Sequence, residues 1–156
     1  MSNDKKKYPD EGALNFSNRL KLRLKGDMEE VFDPLRKKWV VLTPEEAIRQ
    51  IFTAWLIETK GYPAGRMANE VGLKLNGMTR RCDTVVYDAS LSPVAIVEYK
   101  APSVNITQAV FDQIARYNLV VRARVLIVTN GREHYCCRYT DGNYYFIKEI
   151  PPYDAI

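Results

Sequence analysis

Apolar and polar positions alternate along the first structured stretch, about residues 13–42. Leu20, Leu22 and Leu24 take turns with Lys21, Arg23 and Lys25, the two-residue period of a half-buried strand. Gly26-Asp27 breaks it. Val31-Phe32 and Trp39-Val40-Val41-Leu42 predict two further strands around an Asp33-Pro34 turn. The period then becomes helical. Thr43 can accept a bond from the backbone N–H of Glu46, and Pro44 sits where its missing N–H costs nothing. Glu46 can reach back to close a capping box. Ile48, Ile51, Phe52, Trp55 and Leu56 follow on one helix face, and Gly61 and Pro63 end the helix.

Three strands are predicted next. One covers about residues 66–75 and is interrupted by Gly72; Asn76-Gly77 is a hairpin signal. The second covers about 80–87. The third, Val94 to Lys100, is almost wholly apolar until its last three residues, as a central strand should be. Pro102 stops it. Residues 106–120 read as a helix with Ile106, Val110, Ile114 and Tyr117 on one face. Arg124 to Thr129 is another apolar strand, closed by Asn130-Gly131. Tyr135 to Arg138 and Tyr144 to Ile147 form a tyrosine-rich hairpin around Asp141-Gly142. The order is helix, three strands, helix, strand (an αβββαβ core), with an N-terminal β addition and a C-terminal hairpin. It predicts an α/β fold, a mixed sheet flanked by helices.

Composition changes this picture little. A chain of 156 residues suits one domain, here residues 13–156 behind a short mobile leader, 1–12. No apolar run is long enough for a membrane span, and the leader lacks the apolar stretch of a secretory signal. The three cysteines are an odd number, and Cys136 and Cys137 are adjacent, which is no disulfide framework. A cytoplasmic location is expected. Neighbouring cysteines on a strand should point to opposite faces. The net charge of +4 permits a polyanionic partner without requiring one.

The chemistry concentrates at one strand end. Glu98 and Lys100 are two apart, so they share a face at the end of an apolar strand. Such a pair alone is commonly a surface salt bridge. Its context argues otherwise: Asp83 precedes Glu98 by one hairpin and would stand beside it. Two carboxylates suit Mg²⁺ or Mn²⁺, hard ions that keep water or phosphate oxygens in the rest of their shell. A lysine beside them can orient a metal-bound water or stabilise a phosphodiester transition state. On the following helix Gln113 and Tyr117 are four apart and share a face.

The pattern Asp83…Glu98-Tyr99-Lys100…Gln113-x-x-x-Tyr117 resembles the PD-(D/E)xK nuclease superfamily. Further segments make it similar to the N-terminal nuclease domain of type I restriction enzyme R subunits. These are Phe32-Asp33-Pro34, Leu42-Thr43-Pro44-Glu45-Glu46 with Arg49-Gln50, Lys100-Ala101-Pro102, Arg116-Tyr117-Asn118 and Thr129-Asn130-Gly131. The resemblance covers about residues 30–131. It implies a restriction-endonuclease-like fold and phosphodiester hydrolysis in DNA. Asp83 and Glu98 would be metal ligands, Lys100 the catalytic lysine, and Gln113 and Tyr117 would support the site or touch DNA. Many members add an earlier acidic residue, for which Glu70 is the best match. Glu45 and Glu46 suit the positive end of their helix. Cys82 stands where the superfamily pattern has proline.

Arg80 and Arg81, which enter the strand of Asp83, and Arg116 are the favoured phosphate contacts. Trp39 and Trp55 are expected in the core. His134 with Cys136 and Cys137 lacks a zinc spacing. The sequence holds no GxxxxGK[ST], so ATP-driven translocation is not expected of it and would come from a partner or not at all; the candidate partners are DNA and a separate motor or methyltransferase subunit. The expected function is a Mg²⁺-dependent DNA endonuclease or nuclease subunit. The alternative is a non-cleaving nucleic-acid-binding or assembly module of the same fold.

Overall fold

The change of period at Thr43 divides the chain where the pattern places it. The computed structural model describes residues 20–156. The expected leader and residues 13–19 of the first β-like stretch lie outside the described residues. β1 (Leu22–Lys25), β2 (Met28–Asp33) and β3 (Lys38–Val41) form an antiparallel sheet of their own, in the order β1-β2-β3.

β1 corrects one expectation. All four of its residues are exposed, Leu22 and Leu24 included. Alternation sets a strand and its two faces, but β1 is an edge strand, and the pattern does not reveal whether a second layer covers it. Trp39 is also not a core residue. It is half-buried, edge-on to Phe32 at 5.5 Å and beneath the Arg23 guanidinium at 4.2 Å. Trp55, by contrast, is fully buried.

α1 (Pro44–Lys60) starts as expected: Thr43 Oγ1 accepts from the Glu46 N–H at 3.0 Å, and Pro44 takes the first helical position. Gly61 ends it in the left-handed region, at φ 72°. The reciprocal half of the capping box does not form. The Glu46 carboxylate accepts instead from the side chains of Arg36, Arg49 and Gln50. Two guanidiniums make stronger charge-assisted bonds than one backbone N–H.

The second sheet has the order β4-β5-β6-β7-β8-β9. Its strands are β4 (Met67–Leu75), β5 (Met78–Tyr87), β6 (Pro93–Tyr99), β7 (Val125–Thr129), β8 (His134–Thr140) and β9 (Asn143–Ile147). β6 and β7 are parallel; the other neighbours are antiparallel. Parallel strands need a crossover, and α2 (Gln108–Val121) supplies it. The architecture is thus the expected mixed α/β sheet with helices, and the C-terminal hairpin extends the sheet. Asn76-Gly77 and Asp141-Gly142 both carry positive φ at both residues, as a two-residue type I′ hairpin turn requires. β4 runs unbroken through Gly72. Its irregularity is Glu70, at φ 59°.

Each sheet face has its own core. Phe52, Trp55 and Leu56 of α1 pack with Ala95, Val97, Tyr99, Val125 and Ile127. Ile114 and Tyr117 of α2 pack with Val85, Ile96, Leu126 and Val128. Residues of β6 and β7 therefore alternate between two apolar layers, which is why these strands read as continuous apolar runs. Cys136 and Cys137 divide between the layers as adjacency predicts, and all three cysteines are buried and free. Burial of each large side chain is worth roughly 1.5–3 kcal/mol. No helix among the described residues is long and apolar enough to cross a membrane.

α2 runs from the C-terminal end of β6 back to its start, where Arg124 N–H bonds Val94 C=O at 3.1 Å. Asn118 seals that return: its Oδ1 accepts from Ala123 N–H at 2.7 Å and its Nδ2 donates to Ala123 C=O at 3.1 Å. Asn118→Ala strands both buried backbone groups. It should lower the unfolding free energy by about 1–3 kcal/mol, measured by urea denaturation. An unchanged midpoint would show that water replaces the amide.

Candidate active site

Strand register builds the site. Thr84 stands opposite Val97; one further step puts Asp83 across from Glu98. Glu98 shares a face with Ile96, which lies in the core beneath α2. Tyr99 N–H donates to Asp83 Oδ2 at 2.9 Å, so the strand carrying Glu98 also fixes Asp83. Lys100 N–H bonds Thr129 C=O at 2.9 Å just past the end of β6. Its Nζ lies 3.7 Å from Glu98 Oε1. The structure brings Asp83, Glu98 and Lys100 together.

Asp83 and Glu98 are both buried, and their carboxyl groups meet within hydrogen-bonding reach. Burial pushes both pKa values up. Glu98 is raised further by the charge of Asp83, with Lys100 opposing. Asp83 is raised further by Glu45 and Glu70, with the Tyr99 N–H and Arg49 opposing. Two carboxylates forced together out of water are unfavourable as a bare pair. A divalent cation removes that cost, so the donor set fits a hard metal ion. Among the described residues no three His, Cys, Asp or Glu form a cage by themselves.

Glu70 stands across from Asp83, because its neighbours pair Asn69 with Thr84 and Val71 with Cys82. Its carboxylate is already engaged: Arg49 Nη2 donates to Oε1 at 2.6 Å, and Arg81 Nη1 lies 3.8 Å from Oε2. Arg49 also lies 3.6 Å from Asp83 Oδ1. Burial disfavours its charge, but Glu46, Asp83 and Glu70 more than compensate and raise its pKa.

Beneath the site runs a buried polar chain. Asn69 Nδ2 donates to Asp33 Oδ2 at 2.9 Å; Thr84 Oγ1 donates to Asn69 Oδ1 at 2.6 Å and lies 3.0 Å from Tyr99 Oη; Thr53 Oγ1 lies 3.2 Å from the same Oη. Burial pushes the Tyr99 hydroxyl up to about 12, against these hydroxyl partners.

Sequence reasoning missed Arg49, Asn69, Thr84 and Tyr99 as site-building residues. It also gave Glu45 only a helix-end role, whereas its charge reaches both Asp83 and Glu98. The available signal was a charged pair, Glu46 and Arg49, on the buried face of an otherwise apolar helix.

The remaining expected residues are spread out. Gln113 Nε2 donates to Tyr117 Oη at 2.8 Å, which fixes both on α2. Arg80 and Arg81 are exposed on β5, in the half of the strand that leads to Asp83. Arg116 is exposed near the end of α2, in an open cavity of about 620 Å³ lined also by Arg122, Tyr139 and Tyr144. That is the opposite end of the sheet from Glu98. The Tyr139 and Tyr144 rings pair across the hairpin at 4.9 Å, as aromatic cross-strand neighbours do.

Known proteins share this outline. A family model described as "Type I restriction enzyme R protein N terminus" matches residues 44–151, a span that contains Asp83, Glu98, Lys100, Gln113 and Tyr117. A fragment structure described as an HsdR subunit of a type I restriction enzyme from Vibrio vulnificus YJ016 is similar in fold. It has a TM-score of 0.55 and 18% identity, over 72% of this chain and 24% of that one. This chain therefore spans only about a quarter of that relative. A DrdV–DNA complex matches with a TM-score of 0.44 and 18% identity, over 67% of this chain and 10% of that chain. No curated protein matches the sequence.

The raised pKa of Glu98 has a sign that can be tested. The folded, metal-free chain holds a proton that the unfolded chain releases. The associated stability is full below the ordinary carboxylate range and is lost as pH rises through the raised value. Glu98→Gln removes that loss. In chelator at alkaline pH it should raise Tm, by about 2–4 °C for each kcal/mol of repulsion relieved in a chain of this size. At acid pH the gain should vanish. A variant that melts no higher than wild type at alkaline pH would mean that the two carboxylates do not repel.

Proposed function

The chain belongs to the family of type I restriction enzyme R protein N-termini, and from that premise we propose that it is a metal-dependent DNA endonuclease or nuclease subunit. Its reaction is phosphodiester hydrolysis. One observation carries this reading: two buried carboxylates, Asp83 and Glu98, meet at a strand end with the Lys100 ammonium 3.7 Å from Glu98. A structural salt bridge needs one carboxylate; the second is explained by a cation.

Asp83 and Glu98 are the residues that would hold Mg²⁺ or Mn²⁺, and such an ion would supply an activated water and offset charge on the phosphate. The side chains do the rest. The Tyr99 N–H holds Asp83 in place through Oδ2. Lys100, which directly follows the core residue Tyr99 and is only partly exposed, would orient the attacking water and stabilise the added negative charge of the pentacovalent transition state. Arg80 and Arg81 reach backbone phosphates from the exposed half of β5. The Gln113–Tyr117 pair supports the site from α2. Arg116, on the face of α2 that lines the cavity with Arg122, Tyr139 and Tyr144, would meet DNA away from the cut bond.

Incubation with supercoiled plasmid tests the reading. Nicking should require Mg²⁺ or Mn²⁺ and stop with chelator. Lys100→Ala should lower kcat by about 10²–10³, the loss typical of one preorganised charge-stabilising donor. Asp83→Ala should abolish cleavage. Cleavage that survives both substitutions would sink the assignment. Metal-independent DNA binding with no nicking would point to a non-cleaving binding or assembly module instead.

A further inference from the structure

Arg49 stands between two carboxylates that face each other across the β4–β5 ladder. Its Nη2 is 2.6 Å from Glu70 Oε1 and 3.6 Å from Asp83 Oδ1. Its Nη1 reaches Glu46 Oε1 at 3.3 Å. The side chain is 4% exposed, and its charged carbon lies 5.7 Å from the centre of the Tyr99 ring. An arginine cannot be deprotonated in a protein, so this is a permanent, buried cation. Glu70 meets it from a left-handed backbone at φ 59°. A non-glycine residue holds that conformation only when its surroundings demand it. That strained backbone presents the Glu70 carboxylate to Arg49.

We propose that Arg49 is the built-in second cation of this centre. It neutralises Glu70 and one oxygen of Asp83, and so restricts the carboxylates to a single divalent ion held by Asp83 and Glu98. The inference rests on the metal-dependent reading above and adds the stoichiometry. Two-metal centres place their ions roughly 3.5–4 Å apart, and a carboxylate shared between them must turn one oxygen to each. In this chain Asp83 Oδ1 turns to a guanidinium. Glu70, the residue positioned to complete a second ion's shell, is held by the same group. Arg81 adds positive charge at the other oxygen of Glu70. Glu70 is then the counter-ion of Arg49 and not a metal ligand.

A count of ions tests this. Calorimetric titration of the whole chain with Mn²⁺, with no DNA present, should give one ion per chain. Glu70→Gln should keep that one ion and weaken it by about 10–100-fold, the scale for losing a group beyond the ligands. Arg49→Gln frees Glu70 and should admit a second Mn²⁺. Two ions on the wild-type chain would overturn the proposal. So would a Glu70→Gln chain that loses Mn²⁺ as completely as Glu98→Gln. So would an Arg49→Gln chain that keeps its circular dichroism yet still takes one ion. If Arg49→Gln does not fold, the wild-type count and Glu70→Gln decide. Glu98→Gln separates the two levels: if that variant binds Mn²⁺ as wild type does, the metal centre itself is wrong.

Discussion

A charge removed from water must be matched, and around α1 this requirement ties the whole molecule together. Arg49 and Glu46 are buried on the inner side of that helix. Glu46 takes Arg36 from the loop after β2, and Arg36 also pairs with Asp33, which is wholly buried. Burial pushes the Asp33 carboxyl up, but hydrogen bonds from Asn69, Arg36 and the Leu35 N–H together bring it below its ordinary value. From Asp33 the chain of contacts passes through Asn69 to Thr84, beside Asp83. From Arg49 it passes directly to Glu70 and Asp83. The three-stranded sheet, α1, β4 and β5 are therefore joined by one set of ionic and polar contacts. Removing a single partner would leave a buried charge uncompensated, which is far more costly than losing a surface pair.

The two helix layers also explain where Glu98 and Lys100 sit. β6 is apolar on both faces until Val97, because a helix layer covers each side. Glu98 and Lys100 fall on the face beneath α2, just where the strand leaves the core. Tyr99, between them, faces the α1 layer, where its hydroxyl meets Thr53 and Thr84. Three consecutive residues thus serve two purposes through alternation alone. The outer two bring an ammonium within 3.7 Å of a carboxylate and the middle one anchors the strand. Its backbone N–H, meanwhile, fixes Asp83. A bulky apolar residue at 99 would keep the packing but lose those hydroxyl contacts, leaving Thr84 and Thr53 without that partner.

Much of this was legible in the sequence because it follows from short-range rules. The period of two in β6 and β7, the period of 3.6 in α1 and α2, the Thr43-Pro44 start and the two Xaa-Gly turns each depend on neighbours a few residues apart. The proximity of Asp83 to Glu98 needed only one hairpin. The illegible parts depend on residues far apart in the chain. Glu46 sits three residues after Thr43 and so reads as a capping-box carboxylate. Its actual partner Arg36 comes from another element. Gly72 reads as the break in β4 because glycine commonly breaks strands. The real irregularity is at Glu70, whose carboxylate meets Arg49, twenty-one residues earlier. The alternation in β1 was real, but coverage of a strand depends on tertiary packing that no local period encodes.

The same contrast separates two kinds of positive charge in this chain. Arg80 and Arg81 lie at the surface, where water and salt screen them and a phosphate could displace little more than counterions. Arg49 has exchanged its water for three carboxylates and an aromatic face. Its charge is not available to a substrate, because any phosphate would first have to displace Glu70 or Glu46 from close contact. Its influence on chemistry is therefore indirect: it sets how much negative charge Asp83 and Glu70 present to the space above Glu98.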